Sequence, residues 1–155
     1  MPVTTHMLID SIHDAQKQDE KLVLIVGQPG SGKSKVMRSL ADMRGWKYLD
    51  AGQLVTDELL ELVPRVRARE APAIMGKVLG SLISEVYLID DLQLLFTPLL
   101  QLDPLPLLKH LSRKHTIVAS WPGTFENGSL SFEYNGAFVS SQRQYTVEGI
   151  TVIQL

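Results

Sequence analysis

Gly27-Gln28-Pro29-Gly30-Ser31-Gly32-Lys33-Ser34 is the stretch that decides the fold of this chain. It meets the pattern G-x-x-x-x-G-K-[ST] at every constrained position. Glycines let the backbone curl until successive N–H groups converge on phosphate oxygens. The helix that follows turns its positive N-terminal end toward the same anion. In this pattern Lys33 reaches the β- and γ-phosphates and the Ser34 hydroxyl ligates Mg²⁺. Gly27, Gln28, Pro29, Gly30, Ser31, Gly32, Lys33, Ser34 and Lys35 are therefore the expected nucleotide-binding set.

The flanks agree with that reading. Leu22-Val23-Leu24-Ile25-Val26 is a short apolar, β-branched run with the character of a buried strand. From Lys35 to Met43 the chain has a helical pattern, with Val36, Met37, Leu40 and Met43 on one face and Gly45 as the expected stop. Strand, glycine-rich turn and helix follow one another as a phosphate site requires.

Working outward, Thr5 to about Gln18 reads as a first helix capped by Thr4 or Thr5. Trp46 to Asp50 reads as a second strand. A short helix from Thr56 or Asp57 is expected to end at Pro64, and Pro72 to open another that runs to about Ile83. Between them, Arg65-Val66-Arg67-Ala68-Arg69 is expected as a loop, either solvated or facing DNA phosphates or a partner's nucleotide. Val86 to Asp90 is a third strand, Thr97 to Pro106 a proline-punctuated loop, Leu107 to Lys114 a short helix, and Thr116 to Trp121 a fourth strand. Asn127-Gly128 and Asn135-Gly136 each lie between strand-forming residues, the strongest short-range hairpin signal. Gly149 to Ile153 supplies a last core strand. Strands alternating with helices imply a mostly parallel five-stranded sheet covered on both faces, a three-layer α/β fold with a small antiparallel insertion near the C-terminus.

A triphosphate is handled with Mg²⁺, and Mg²⁺ takes a carboxylate at the end of a neighbouring strand. Tyr87-Leu88-Ile89-Asp90-Asp91 has that form, an apolar run ending in acid. Asp90 is the expected Mg²⁺ residue. Asp91 stands where many ATPases place a glutamate that orients the attacking water, though a role as helix cap or turn residue fits the position too.

The 155 residues suit one domain with a substantial core. A formal charge of −2 gives no global drive toward nucleic acid or anionic membranes, so DNA contact would rest on local clusters. The absence of cysteine excludes disulfides, thiolate metal sites and cysteine nucleophiles. His6, His13, His110 and His115 lack the acidic or thiol partners of a zinc site. No apolar run approaches a membrane span, and Met1 to Lys21 lacks the basic-then-apolar plan of a signal peptide, so a cytoplasmic protein is expected.

From Gly27 to Ile153 the sequence resembles the additional-strand P-loop ATPases, most nearly their AAA+ branch. The resemblance implies a further strand between the phosphate-loop strand and the acidic strand, with a polar sensor at its tip. Thr116 to Ser120 would be that strand and Ser120 either the sensor or a plain strand-end hydroxyl. Lys33, Asp91 and Ser120 are then the expected catalytic residues. No counterpart of that group's helical lid is expected in this sequence, and Arg113 and Arg143 are candidate arginine fingers or plain solvated charges. Nearly the whole chain is also similar to BrxF, the compact P-loop proteins of BREX phage-defence systems. That likeness is carried by Leu24 to Ser34, Leu88 to Asp91 with Leu94-Leu95-Phe96, Leu107-Leu108 with Leu111-Ser112-Arg113, Ala119 to Gly123, and Glu148-Gly149-Ile150. It implies an accessory ATP-binding component of a multi-protein bacterial defence assembly. With the site residues, the expectation is a subunit that binds Mg·ATP, hydrolyses it slowly or on a partner's cue, and docks on itself or on other proteins of that assembly. A small-molecule kinase and a non-hydrolysing, nucleotide-stabilised interaction module are the competing classes.

Overall fold

A computed structural model describes residues 4–27, 30–135 and 140–155, with the backbone alone for 133–135 and 140–143. The strand predicted before the phosphate loop lies inside the main sheet. β1 (Leu22–Val26) is buried along its whole length, and alternate side chains leave it in opposite directions. Leu22, Leu24 and Val26 join one apolar cluster, while Val23 and Ile25 join a second. A strand buried on both faces belongs inside a parallel sheet with helices on either side.

The other core strands are β2 (Lys47–Asp50), β3 (Val86–Asp90), β4 (Thr116–Trp121) and β8 (Thr151–Gln154), and the parallel order is β2-β3-β4-β1-β8. β4 thus separates the phosphate-loop strand from the acidic strand, with Ile25 beside Ser120 and Ile89 beside Ala119. This is the inserted strand that the ATPase resemblance implied. On one face lie α1 (Thr5–Ala15), capped by the Thr4 hydroxyl, and α2 (Lys33–Arg44), which ends at Gly45. On the other lie α3 (Asp57–Leu60), α4 (Pro64–Leu82) and α5 (Pro104–Ser112), with 3₁₀ turns at Leu92–Phe96 and Pro98–Leu100.

The prolines set boundaries other than those read from the sequence. α3 stops at Leu60, and α4 begins at Pro64 and runs through Pro72. α5 opens at Pro104 rather than Leu107, with Pro98–Leu100 in a 3₁₀ turn. Pro64 occupies the first turn, where a missing N–H costs nothing. Pro72 gives up one bond within the helix. Burial of Ala71, Ile74, Met75 and Leu79 holds the helix together across that gap. The arginine segment is therefore the first turns of a helix rather than a loop. Arg67 donates to the carbonyls of Leu99 (2.9 Å) and Leu60 (3.0 Å), tying the 3₁₀ region to the end of α3, and Arg69 pairs with Glu70.

The antiparallel insertion is a second sheet of β5 (Thr124–Glu126), β6 (Ser129–Asn135) and β7 (Ser140–Thr146). Asn127 and Gly128 both take positive φ, 51° and 77°, as the two-residue turn predicted there requires. Gly136, half of the second turn signal, lies outside the described residues, but β6 and β7 pair from Ser129–Thr146 to Asn135–Ser140. The sheet docks through Phe132 on Phe96, with Trp121 edge-on to Phe96 and to Tyr145. The Trp121 indole also donates to the Ser131 carbonyl (3.2 Å). Gly123 permits this approach, because a Cβ there would lie 1.8 Å from the Ser131 carbonyl oxygen.

Candidate nucleotide-binding site

The phosphate loop lies between the end of β1 and the start of α2. Gly32 caps α2 at φ 93°, a left-handed conformation that a side chain would strain. Lys33 and Ser34 then fall in the first turn, beside the N–H groups that a helix leaves unpaired. The Lys33 ammonium donates to the carbonyl of Gly27, folding back over its own loop. Burial lowers the Lys33 pKa and the nearby Asp90 charge opposes that shift. Gln28 and Pro29 lie outside the described residues, and Lys35 is exposed on α2, apart from the cleft.

Asp90 ends β3 and is 4 % exposed. It accepts hydrogen bonds from Ser34 Oγ (2.6 Å) and the Tyr48 hydroxyl (2.5 Å) on Oδ2, and from Ser120 Oγ (2.5 Å) and the Asp91 amide (2.9 Å) on Oδ1. Burial pushes its carboxyl up, but the donors outweigh burial and hold it below the ordinary value. The carboxylate stays ionised in a nearly dry place. Ser120, itself 3 % exposed, sits at the tip of β4 as expected and reaches the acid directly.

These groups line a cleft of about 520 Å³ bounded by Gly30 to Ser34, Asp90, Asp91, Gln93, Ser120 and Pro122. The structure thus brings together the phosphate loop, the acid and the polar strand tip, which are far apart in sequence. A hydroxyl and a carboxylate joined at 2.6 Å are the hard oxygen donors that Mg²⁺ accepts. Among the described residues, no cluster of three or more His, Cys, Asp and Glu could hold a metal by itself. Mg²⁺ in this cleft would depend on nucleotide oxygens, which is its habit with triphosphates.

Asp91 has φ 57° and caps the 3₁₀ turn Leu92–Phe96 without a side-chain cap bond. Its carboxyl shares a hydrogen bond with Asp50, and that bond, burial and the charge of Asp90 raise its pKa. Gln93 Nε2 donates weakly to it at 3.4 Å. Asp50 and Asp90 are register partners across β2 and β3, so three carboxylates stand at adjoining strand ends. Arg113 sits at the C-terminal end of α5, before β4 begins, at the other end of the sheet from the cleft. The side chain of Arg143 lies outside the described residues.

Sequence reasoning missed Tyr48 and Asp50. The signal was present in Lys47-Tyr48-Leu49-Asp50, where a hydroxyl and an acid alternate around buried Leu49 on the strand beside the acidic one. Arg38 of α2 lies 5.5 Å over the Tyr48 ring, and the Tyr48 pKa is raised to about 12, chiefly by burial and its bond to Asp90. Tyr48 therefore remains a donor throughout the neutral range.

The sequence profile of the family described as Zeta toxin matches residues 7–85, just over half of the chain. The chain belongs to the zeta toxin family. That match runs from α1 to the threshold of β3, so it includes the phosphate loop, Tyr48 and Asp50 and stops before Asp90. This zeta toxin family chain is also 32 % identical over 71 residues to an adenylate kinase of Pyrococcus furiosus. The alignment covers 46 % of the chain and 32 % of the kinase, so the chain spans about a third of that relative's length. Both likenesses agree with the cleft: this is a P-loop nucleotide-binding protein with kinase-like kin.

Proposed function

We propose that the chain binds Mg·ATP in the cleft between the phosphate loop and the tip of β3, and hydrolyses it slowly to ADP and phosphate unless a partner completes the site. The observation that carries this reading is the 2.6 Å bond from Ser34 to Asp90, which places the two expected Mg²⁺ residues at one point. When bound, Mg²⁺ would neutralise charge on the transferring phosphoryl group. The loop amides and Lys33 would clamp the phosphates, and Asp91 would face the attacking water. Ser120 would hold Asp90 through Oδ1, the oxygen that Ser34 leaves free. An ATPase rather than a kinase is favoured by β4 lying between β1 and β3, the arrangement that the additional-strand ATPase resemblance implies. The same resemblance, in its BrxF form, supports a cytoplasmic accessory subunit of an anti-phage defence assembly.

Transfer to a small-molecule acceptor is the second reading. The zeta toxin and adenylate kinase likenesses favour it, and so does Asp50, which adds a second acid beside Asp91 for an acceptor hydroxyl. Incubation with γ-labelled Mg·ATP, with and without nucleosides, nucleotides and sugar derivatives, separates the readings. Label released as phosphate at a rate insensitive to acceptor supports the ATPase. Label appearing on an acceptor replaces it with a kinase, and no turnover leaves a nucleotide-stabilised docking module.

A further inference from the structure

A groove of about 820 Å³ between α4 and α5 is larger than the nucleotide cleft. Lys114 and His115 border it just before β4 begins, whereas the cleft lies where β4 ends. Gly76, Gly80 and Leu111 contribute to its floor. Each glycine inside an exposed helix costs about 1 kcal/mol relative to alanine. The chain's own packing requires neither of them: a Cβ on Gly80 would meet nothing within 4 Å, and one on Gly76 only Leu111 at 3.9 Å. Four residues apart, they share one face of α4 and let another backbone come close.

The charged side chains that line this floor are all basic. Arg69, Lys77, Arg113 and Lys114 line the groove, and no Asp or Glu does so among the described residues. Arg69, Lys77 and Arg113 have acidic neighbours outside the lining, Glu70, Glu58 and Glu20, at 3.0, 2.9 and 3.9 Å. Lys114 has no acidic partner among the described residues. A nucleic acid backbone would use these cations but gain nothing from an apolar glycine floor. An amphipathic helix uses both.

We propose that this groove docks an acidic amphipathic helix of a partner protein, with its apolar face on Gly76 and Gly80 and its carboxylates toward Lys77, Arg113 and Lys114. The proposal is independent of the nucleotide reading, since the two sites lie at opposite ends of β4. The probe is a synthetic labelled helical peptide with leucine and alanine on one face and glutamate on the other, followed by fluorescence anisotropy. Saturable binding of this peptide is expected, with none by its lysine counterpart. Gly80→Trp should weaken binding roughly tenfold by filling the floor, and Lys114→Glu should do so by removing complementarity. Both variants should keep the wild-type melting temperature and far-UV circular dichroism, which shows that they fold. Amide shift changes on peptide addition should centre on residues 76–80 and 110–115. Absence of saturable binding, binding indifferent to both substitutions, or preferential binding of duplex DNA at these residues would each overturn the proposal.

Discussion

Asp90 keeps its charge in a buried place because hydroxyls from three different elements, β2, α2 and β4, converge on it. Removing the acceptor leaves those donors stranded. Asp90→Ala should therefore abolish Mg²⁺-dependent nucleotide binding and destabilise the fold by about 1–3 kcal/mol, read from a denaturant melt. Its pKa is depressed in the folded state, so its contribution is present above the ordinary value of 3.8 and is lost as pH falls through the lower folded value. Tyr48 has the opposite sign. Its folded pKa of about 12 exceeds the ordinary 10.0, so its contribution is complete below pH 10 and fades as pH rises toward 12. Tyr48→Phe should cost about 0.5–1.5 kcal/mol at neutral pH, and the gap from wild type should narrow in that alkaline window. Asp91 is raised, first by its bond to Asp50, so it is protonated at pH values where an ordinary aspartate is not. If it serves the attacking water, turnover should rise with pH through that elevated value, and Asp50→Asn should move the rise to lower pH. A pH–rate profile unchanged by Asp50→Asn would remove Asp91 from that role.

Among the elements, β4 does the most to define the site, since it separates β1 from β3 and delivers Ser120 to Asp90. Its Ile117, Ala119 and Trp121 join one apolar cluster, and Val118 joins the other. The antiparallel sheet closes over the end of β4 through Gly123. Gly123→Ala would drive a methyl into the Ser131 carbonyl and should cost about 1–3 kcal/mol or more in thermal denaturation. An unchanged melting temperature would mean that this sheet does not dock as described. Short continuous apolar, β-branched runs made β1, β3, β4 and β8 legible in the sequence, and Asn127-Gly128 made the first turn of the insertion legible. The unbroken α4 was not legible, because proline is a local signal and the burial of Ala71, Ile74, Met75 and Leu79 is a tertiary one. Lys33, Ser34 and Asp90 could be read because phosphate chemistry fixes their spacing or setting. Tyr48 and Asp50 carried a signal in their alternation on β2, but it gains meaning only through the register of β2 with β3.

For the molecule as a whole, the decisive feature is a cleft whose described lining contains a single cation, Lys33. Water in an open cleft weakens every contact to the γ-phosphate. Arg67 is committed to the carbonyls of Leu60 and Leu99, and Arg113 stands at the far end of the sheet. Among the described residues no second cation lines the cleft, so a further positive charge would come from another surface, and such an arginine is worth about 10³–10⁵ in rate. ATP should promote self-association, seen by light scattering over a range of protein concentrations. A monomer with ATP, ADP and no nucleotide alike would leave a foreign partner as the source. All of this presumes that the loop and Asp90 hold a Mg²⁺-bound triphosphate. Calorimetric titration of Mg·ATP into the wild-type chain and into Lys33→Ala tests that claim most directly. Saturable one-to-one binding by the wild type and none by the variant is expected, with the two melting alike without nucleotide. Equal affinity in both would contradict it.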